Sequence, residues 1–460
     1  VAQYVVLLLA FLIPVSWLAY KQLGNPLAPV VYGQQIDKVA VLEDRLRNDP
    51  AEQEVAAEFQ RRARMYEERL LDVDSALEQE RARAQARIHQ LRAQNSDVAL
   101  IIAASRELAA LPKDAASARE RWTRAMQESR ERSRPLGGLP QHSQAFDGDP
   151  HGTPEEQALF QNSRRNFLAL MFCLMVGTAG LPHLLTRYFT VPSVAEARTS
   201  VAWSLFFIAL LYLSVPALAL LVKFEVMNNL VGSSFDALPT WMGQWSKVDA
   251  SLLSVSDVNG DGILQLGEIR LGADLVMLAT PELGGMPYVV SGLVAAGGLA
   301  AALSTADGLL LTISNALVRD MVYANTRRRA MPEQRVILTK FALLAVAMLA
   351  ASVAALRPAG ILPMVTASFS LAAAALVPAM LLGLFWRGAT RQGAVAGMLV
   401  GLAVVIYYML AHSDGLLSGV GRSPTSSLWF GIQPMSAGVF GVPAGLLVAW
   451  LVSLLGKRSA

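Results

Sequence analysis

"AALSTADGLLLTISNALVRD", residues 301–320, places polar side chains inside an apolar run and decides how the rest of the chain is interpreted. Ser304 and Thr305 are adjacent hydroxyl residues, and Asp307 follows two positions later. The whole run, residues 287–317, is long enough for a helix that crosses a hydrocarbon core about 30 Å thick. Polar residues inside such a helix are costly and therefore mark functional positions. The stretch predicts a transmembrane helix that carries a polar site.

The composition agrees with a membrane protein. The chain has 460 residues, of which 53% are hydrophobic and 16% charged, and its mean hydropathy is +0.40. The predicted fold class is all-α, a polytopic membrane protein with about eight spanning helices. The other seven apolar runs lie near residues 2–20, 167–186, 201–222, 336–356, 361–386, 393–411 and 436–455. A net charge of only +3 fits basic cytoplasmic loops and excludes a nucleic-acid partner.

The distribution of Lys and Arg predicts the orientation, because short basic loops stay on the cytoplasmic side. Residues 319–335, residues 387–392 and the C-terminal tail are basic, so we expect them inside. The chain also starts inside an apolar run without an initiator Met, which indicates a fragment. The predicted organisation is a spanning helix (1–20), an extracytoplasmic helical insert and linker (21–163), two spanning helices (164–223), an extracytoplasmic loop (224–286), and five spanning helices with a cytoplasmic tail (287–460).

The predicted insert has its own character. From residue 36 to about residue 134 it is rich in Ala, Glu, Arg, Gln and Leu, with apolar residues at helical spacing. Two or more amphipathic helices are expected, either as a coiled-coil hairpin or as a helical bundle. Such helices offer a surface for self-association or for a partner.

Residues 301–320 also indicate an ion site. Two hydroxyls and an exposed carbonyl supply the oxygen ligands that a hard cation such as Na⁺ prefers, and Gly292, Gly297 and Gly298 permit close helix packing. The alternative is that Ser304 and Thr305 bond back to the preceding turn of their own helix, as hydroxyl residues do in membrane helices.

Two motifs resemble a known family. Residues 301–320 resemble the signature helix of the sodium:solute symporters, and "GTAGLPHLLTRYFTVPS", residues 177–193, resembles the matching helix of the acetate-permease branch. The resemblance implies the C-terminal part of a LeuT-like core of two inverted repeats, with a large insert. It further implies Na⁺ as coupling ion, with the Ala301 carbonyl and the Ser304 and Thr305 hydroxyls as ligands. The remaining ligands would come from core helix one, which precedes this chain.

The second motif raises the question of a substrate. Gly180 and Pro182 interrupt a spanning helix, which frees backbone groups to line a cavity. His183 either hydrogen-bonds a small carboxylate there, shares a coupled proton, or is a satisfied structural residue. Arg187 is expected at the membrane interface or in a cytoplasmic gate.

"DVNGDGILQLGE", residues 257–268, matches the pattern of an EF-hand calcium loop. The predicted Ca²⁺ ligands occupy positions 1, 3, 5, 7, 9 and 12: Asp257, Asn259, Asp261, the Ile263 carbonyl, Gln265 and Glu268. EF-hands usually occur in pairs, and this loop is alone with a poor entering helix. The alternative is therefore an acidic turn that needs no ion.

These features predict a sodium-coupled symporter of a small organic acid, a monocarboxylate such as acetate, that works by alternating access in the lipid bilayer of a bacterial inner membrane. No phosphate-binding loop, kinase motif or nucleophile arrangement indicates an enzyme. The rival hypothesis is a membrane sensor or scaffold that uses a transporter-like fold with a coiled-coil and calcium-binding outer region. A third is a relative that has lost transport.

Overall fold

The structure is a computed structural model that describes residues 2–94, 97–142, 144–185, 191–323, 332–355, 361–412 and 428–456. Arg187, part of the basic loop 319–335 and the tail from residue 457 lie outside these residues. Within the described part, eight helices are long and apolar enough to cross a membrane. They are Val5–Leu23, Pro154–Leu185, Val194–Leu230, Tyr288–Arg319, Glu333–Ala355, Ile361–Phe385, Arg391–His412 and Pro434–Leu455. The predicted polytopic helical class is confirmed.

Helices account for nearly all of the regular structure. In chain order the elements are α1 (Ala2–Leu23), α2 (Ala28–Val31), α3 (Ile36–Arg47), α4 (Pro50–Leu71), α5 (Val73–Ala93), α6 (Val98–Ala109), α7 (Ala115–Arg132), α8 (Pro154–Ala179), α9 (Pro182–Leu185), α10 (Val194–Glu225), α11 (Thr240–Val248), β1 (Leu253–Val255), β2 (Ile269–Leu271), α12 (Val276–Leu283), α13 (Tyr288–Asn315), α14 (Pro332–Ala355), α15 (Ile361–Phe385), α16 (Arg391–His412) and α17 (Gly438–Leu455). A π-helical turn, Val226–Leu230, continues α10.

The chain divides into two compact units. Unit 1 comprises Val1–Phe11, Ala145–Tyr212 and Gly292–Ala460, and unit 2 comprises Leu12–Gln144 and Leu213–Ser291. Each unit therefore combines segments that are distant in sequence. Unit 1 holds the motifs that resemble the symporter family, and unit 2 holds the insert and the calcium-like loop.

The helices of unit 1 pack through small residues. A β-carbon built at Gly397 of α16 would lie 2.6 Å from the Gly445 carbonyl oxygen and 2.6 Å from Ala449 Cβ, both on α17. Gly177 of α8 comes equally close to Phe369 of α15, where the corresponding distance to the carbonyl oxygen is 2.6 Å. Lipid tails are as apolar as the helices themselves, so helix association in a membrane relies on such close contact.

A short segment after α16 folds back onto unit 1. Tyr408 of α16 is fully buried, and its hydroxyl donates to the Ile432 carbonyl (2.7 Å) and accepts from the Trp429 amide (3.1 Å). The Ser370 hydroxyl of α15 donates to the Met435 carbonyl (2.7 Å). These bonds satisfy backbone groups that would otherwise be unpaired in an apolar environment.

In unit 2 the insert forms a small helical bundle. The helices α4, α5, α6 and α7 each begin after an Asp whose carboxylate caps the first turn, namely Asp49, Asp72, Asp97 and Asp114. α4 and α7 run antiparallel, and Trp122 of α7 is buried with Val73 and Leu77 of α5. The bundle therefore has its own apolar core.

Two buried carboxylates form ion pairs at the end of α10, one with α1 and one with the insert. Glu225 is 4% exposed and pairs with Lys21 Nζ (2.8 Å), while Gln22 Nε2 donates to its second oxygen (2.9 Å). Glu43 of α3 is 1% exposed and forms an ion pair with Lys223, which also donates to the Pro140 carbonyl (2.7 Å). Buried charges require partners of this kind.

The structure refines the predicted organisation. The all-α class holds, and within the described residues β1 and β2 add one small two-stranded antiparallel sheet. Of the two alternatives for the insert, the structure supports the helical bundle and not the coiled-coil hairpin, because capped breaks at the four Asp residues divide the insert into separate helices. α8 begins at Pro154 with a capping box from Thr153, so the end of the predicted linker is helical.

Candidate functional site

The predicted sodium ligands lie on α13, where Gly297 packs against α1. A β-carbon at Gly297 would lie 2.6 Å from Ala10 Cβ, so the two backbones approach closely here. Ala301 and Ser304 follow four and seven positions later, which places them on the same face of the helix. Ala301 and Ser304 thus lie on the same side of α13 as Gly297, and Thr305 is next to Ser304.

The hydroxyl of Thr305 donates to the Ala301 carbonyl over 3.1 Å. This is the back-bonding arrangement that we considered as an alternative to an ion site. A donating hydroxyl keeps its oxygen lone pairs, so the same geometry holds two oxygens side by side. Ser304 and Thr305 are both exposed in the chain. The arrangement is compatible with either role.

The break in the second motif is present in the structure. α8 ends at Ala179, α9 begins at Pro182, and the Leu181 amide lies 3.4 Å from the Thr178 carbonyl. Pro182 has no amide hydrogen, so the normal bond to Thr178 cannot form. The helix is therefore interrupted where the sequence predicts it.

Gly180 is buried against α15. A β-carbon at Gly180 would lie 3.0 Å from the Ala372 carbonyl oxygen and 3.0 Å from Val377 Cγ2. The neighbouring His183 is half-buried. The predicted substrate residues and sodium ligands both belong to unit 1, but the close contacts of Gly180 are with α15 and not with α13.

The calcium-like loop has an extensive set of internal hydrogen bonds. Asp257 accepts from the Gly260 amide (2.7 Å) and the Gly262 amide (3.1 Å), and Asp261 accepts from the Ile263 amide (2.8 Å). Gly262 has φ of +73°, which only glycine adopts readily. The backbone thus makes the sharp turn that the pattern requires at position 6.

Glu268 closes the loop from its last position. It is fully buried, and its carboxylate accepts from the Val258 amide (2.5 Å) and the Gln265 amide (3.2 Å). Burial raises the pKa of Glu268, these backbone bonds lower it, and the charge of Asp257 raises it, with a net increase. Within the described residues no three His, Cys, Asp or Glu side chains are arranged to hold a metal.

The surroundings of the loop differ from those of an EF-hand. In place of helices, the strands β1 and β2 flank the loop, with Val255 opposite Ile269. Leu264, at position 8, exchanges two backbone bonds with the segment before it: its amide donates to the Ser233 carbonyl (2.8 Å), and its carbonyl accepts from the Gly232 amide (2.8 Å). An isolated β-bridge to residues 232–234 therefore supports this loop, which has no paired EF-hand in the described part of the chain.

Comparison with known proteins finds matches to both units of the chain. A sequence model of the sodium:solute symporter family matches residues 277–401, which include α13. An uncharacterized symporter of Cupriavidus necator is 46% identical over all 460 residues, which cover 66% of that protein. The chain belongs to the sodium:solute symporter family.

More distant relatives of this symporter-family chain have named substrates. A monocarboxylic acid transporter of Corynebacterium glutamicum is 26% identical over 296 residues, 64% of this chain and 47% of that protein. A high-affinity proline transporter of Bacillus subtilis is 26% identical over 264 residues, 57% of this chain and 48% of that protein. The chain thus spans about half to two thirds of the length of these relatives, and membership of the family does not by itself select a substrate.

The family assignment and the eight apolar helices agree with each other. This symporter-family chain is an integral, multi-pass protein of the bacterial inner membrane. The family also implies coupling to sodium.

The sequence pattern of residues 257–268 does not indicate the contacts that surround the loop. Glu52 of α4 and Arg132 of α7 both bond to the backbone at Gly267, although they are separated from it by more than 130 positions in sequence. No local pattern indicates such a contact. The only signal was Gly267 itself, which leaves room for a close neighbour.

Proposed function

We propose that the protein is a sodium-coupled symporter of a small monocarboxylate and works by alternating access. The observation that carries the proposal is the polar face of α13, where the Ala301 carbonyl and the Ser304 and Thr305 hydroxyls adjoin the contact with α1. Exposed hydroxyls on a spanning helix are unfavourable against lipid, which favours an ion or another protein segment at this face.

In this mechanism the three oxygens supply part of the sodium coordination. Carbonyl and hydroxyl oxygens suit a hard cation, and symporters commonly bind their coupling ion and substrate where spanning helices are interrupted. Sodium bound here would stabilise the state that accepts substrate, so that the ion gradient drives uptake.

We place the substrate at the break between α8 and α9. Gly180 and Pro182 interrupt the helix there, and His183 supplies a side chain that can donate a hydrogen bond to a carboxylate. The likeness to the monocarboxylic acid transporter supports an organic acid, and acetate is the candidate that the resemblance of residues 177–193 indicates. The proline relative makes an amino acid the competing substrate.

The sodium site is tested by uptake into vesicles that contain the full-length protein. Removing both hydroxyls, Ser304→Ala with Thr305→Ala, is expected to raise the sodium concentration for half-maximal uptake about tenfold or more, which corresponds to about 1.4 kcal/mol. Thr312→Ala is the matched control, because its hydroxyl bonds back to Gly308 (2.7 Å) on the same helix. Unchanged sodium dependence in the double variant would reject the site.

The same vesicles separate the remaining alternatives. His183→Ala is expected to weaken acetate uptake without altering the sodium requirement, and excess proline should not compete. Competition by proline but not by propionate would select an amino acid instead. A folded protein that binds sodium but transports none of these solutes would favour the sensor or scaffold hypothesis.

We also propose that residues 257–268 bind Ca²⁺. The sequence supplies three carboxylates at EF-hand positions, Asp257, Asp261 and Glu268, which are not grouped around one point in the described structure and would have to turn inward to bind an ion. Gly262 has the required backbone. A further observation points to a ligand: Gln265 is 4% exposed, and its side-chain oxygen has no hydrogen-bond donor in the described structure. A buried acceptor without a donor is unfavourable, and a cation would satisfy it.

Calcium binding is measured by titration of the full chain in detergent micelles, with terbium luminescence as a second probe. We expect binding that is lost in Glu268→Gln and kept in Asp236→Asn, an exposed acidic residue outside the loop. An equal affinity in Glu268→Gln would show that any bound ion lies elsewhere.

A further inference from the structure

The end of the calcium-like loop is clamped by the insert. The carboxylate of Glu52, in the first turn of α4, accepts from the Leu266 amide (2.5 Å) and the Gly267 amide (3.2 Å). From the other side, the guanidinium of Arg132, at the end of α7, donates twice to the Gly267 carbonyl (3.1 and 2.8 Å). Two helices of the insert therefore hold both polar groups of one loop residue.

The apolar part of this contact is equally close. A β-carbon at Gly267 would lie 2.9 Å from Val55 Cγ1, and Val55 is fully buried. On the opposite side, a β-carbon at Gly137 would lie 3.1 Å from Gly267 Cα. The turn has no room to shift while the insert is in place, so the loop and the insert must adopt matching positions.

Glu268 connects this contact to the proposed ion. It directly follows Gly267, it is the last residue of the loop, and its carboxylate is buried among backbone amides of the loop. Gly267 and Glu268 share a planar peptide bond, so an ion that restrains Glu268 also restrains the backbone of Gly267. An ion bound by Glu268 would therefore hold the surface on which α4 and α7 rest.

The charges make the contact sensitive to a cation. Glu268 repels both Glu52 and Asp257, and the positive charge of Arg132, which has Arg62 and Arg270 near it, acts on Glu268 in the opposite sense. Burial raises the pKa of Glu52, the two backbone bonds lower it, and the charges of Asp49 and Glu268 raise it, with a net increase. A divalent cation in the loop would offset this repulsion.

We propose that Ca²⁺ in the loop 257–268 controls whether the insert is docked, through the contacts of Glu52 and Arg132 with Gly267. The proposal rests on the calcium site put forward above and adds its consequence. With calcium, the turn is held and the insert is locked onto it. Without calcium, the repelling carboxylates loosen the turn, and the first turns of α4 open more often.

The docked loop is also joined to the start of α13. β2 is followed by α12, whose Glu282 accepts from Trp245 Nε1 (3.0 Å), and the Gly284 carbonyl accepts from Trp17 Nε1 of α1 (3.0 Å). Only three residues separate Gly284 from Tyr288, where α13 begins. Calcium thus acts on a segment that leads directly into this transmembrane helix.

The experiment is amide hydrogen exchange of the full chain in detergent micelles, with and without calcium. Exchange in residues 50–60 that requires release of the ion should slow by about 100-fold when calcium is about 100 times its Kd. Calcium binding is measured in parallel by titration, so the ion site and the docking are observed separately.

Two variants remove the docking without touching a calcium ligand. Glu52→Ala deletes the acceptor, and Gly267→Ala places a methyl group against Val55. Both should still bind calcium but lose most of the calcium-dependent protection of residues 50–60. Glu54→Ala, an exposed position on the same helix, should keep it. Circular dichroism and size-exclusion chromatography verify that each variant is folded.

The outcomes separate the two proposals. If the unaltered protein binds no calcium, the calcium site fails and the control of docking fails with it. If it binds calcium while exchange in residues 50–60 stays the same, only the control of docking is overturned. The control of docking would also be overturned if Glu52→Ala and Gly267→Ala, both folded, showed as much calcium-dependent protection of residues 50–60 as the unaltered protein.

Discussion

Units 1 and 2 belong to one chain, but each is stabilised internally by a different kind of interaction. In unit 1, glycines let neighbouring helix backbones approach closely, at Gly177, Gly397 and Gly401. Unit 2 contains buried ion pairs, such as Glu43 with Lys223 and Glu225 with Lys21. The difference follows from the surroundings for which each sequence is suited.

A membrane offers no hydrophobic gain when two apolar helices associate, so unit 1 depends on close fit. The insert is polar on its outer faces and gains stability from burial of a small apolar core around Trp122. Such a core is too small to fix the orientation of the four helices α4–α7 by itself, and ion pairs at its edge make the orientation more specific. We expect unit 1 to be sensitive to added volume and unit 2 to lost charge.

The largest effect should come from breaking a buried ion pair in unit 2. Lys223→Met leaves the Glu43 carboxylate buried without its cation, and we expect a loss of about 3 kcal/mol in the free energy of unfolding. The double variant with Glu43→Leu should regain much of this loss, because no charge remains buried. Thermal unfolding followed by circular dichroism measures both.

The exposed pair of Arg124 and Glu120 serves as the control for that prediction. Both side chains are mostly exposed, at 76% and 65%, so Arg124→Ala should change stability by less than about 0.5 kcal/mol. Equal losses at the buried and exposed pairs would mean that burial is not what distinguishes them.

Added volume should be next in effect, and it should act in unit 1. Gly397→Leu forces a side chain into the contact with Gly445 and Ala449, and we expect a loss of about 2 kcal/mol. Gly383→Leu on α15 is the matched control, since no atom lies within 4 Å of a β-carbon there. The fraction of protein that remains monodisperse after heating distinguishes them, and similar losses in both would refute packing as the cause.

A smaller effect is expected at Asn166 of α8, a polar link within unit 1. Its amide donates to the Gly431 carbonyl (2.8 Å) and accepts from the Gln433 amide (2.7 Å). Asn166→Ala should cost about 1 kcal/mol, which is less than either change above. A loss as large as that of Lys223→Met would show that unit 1 also relies on polar contacts.

The smallest effect is a dependence on pH in unit 2. The folded state raises the pKa of Glu268, chiefly by burial, so without calcium the stability of unit 2 should increase as pH falls through this raised pKa. Calcium requires the ionised carboxylate, so its stabilising effect should shrink over the same interval. Melting temperatures with and without calcium should therefore converge at a pH above the usual pKa of a glutamate.

Glu268→Gln removes the titrating group and tests the source of this pH dependence. The negative charges of Asp257 and Glu52 raise the pKa of Glu268, as burial does, whereas the positive charge of Arg132 lowers it. The variant should show no calcium effect at any pH. If the melting temperatures of Glu268→Gln with and without calcium still differ and converge at the same pH as in the unaltered protein, another group is responsible for the titration.

Much of the fold could be predicted from local patterns. Apolar runs of about 20 residues marked the eight spans, because a hydrocarbon core sets both the length and the polarity of a spanning helix. The interruption at Gly180 and Pro182 was also predictable, since proline cannot donate the bond that continues a helix. The glycines of residues 257–268 likewise indicated a turn.

The arrangement of the insert was harder to predict. Its apolar positions suit either a coiled coil or a bundle, and the choice depended on whether Asp72 and Asp97 would cap new helices. A capping residue acts within one turn, but whether the chain turns back afterwards depends on what the next helix can bury. Periodicity alone did not resolve this.

The sequence by itself determined the family, the spanning helices and the chemical type of each candidate site, because these depend on residue identity at short spacing. Only the tertiary structure decided which distant groups meet: Leu264 with Ser233, Glu52 and Arg132 with Gly267, and Lys223 with Glu43. Such contacts join residues that are dozens to hundreds of positions apart, and they form only when the packing of whole helices brings them together. For this reason the loop 257–268 could be recognised in the sequence, whereas its junction with the insert could not.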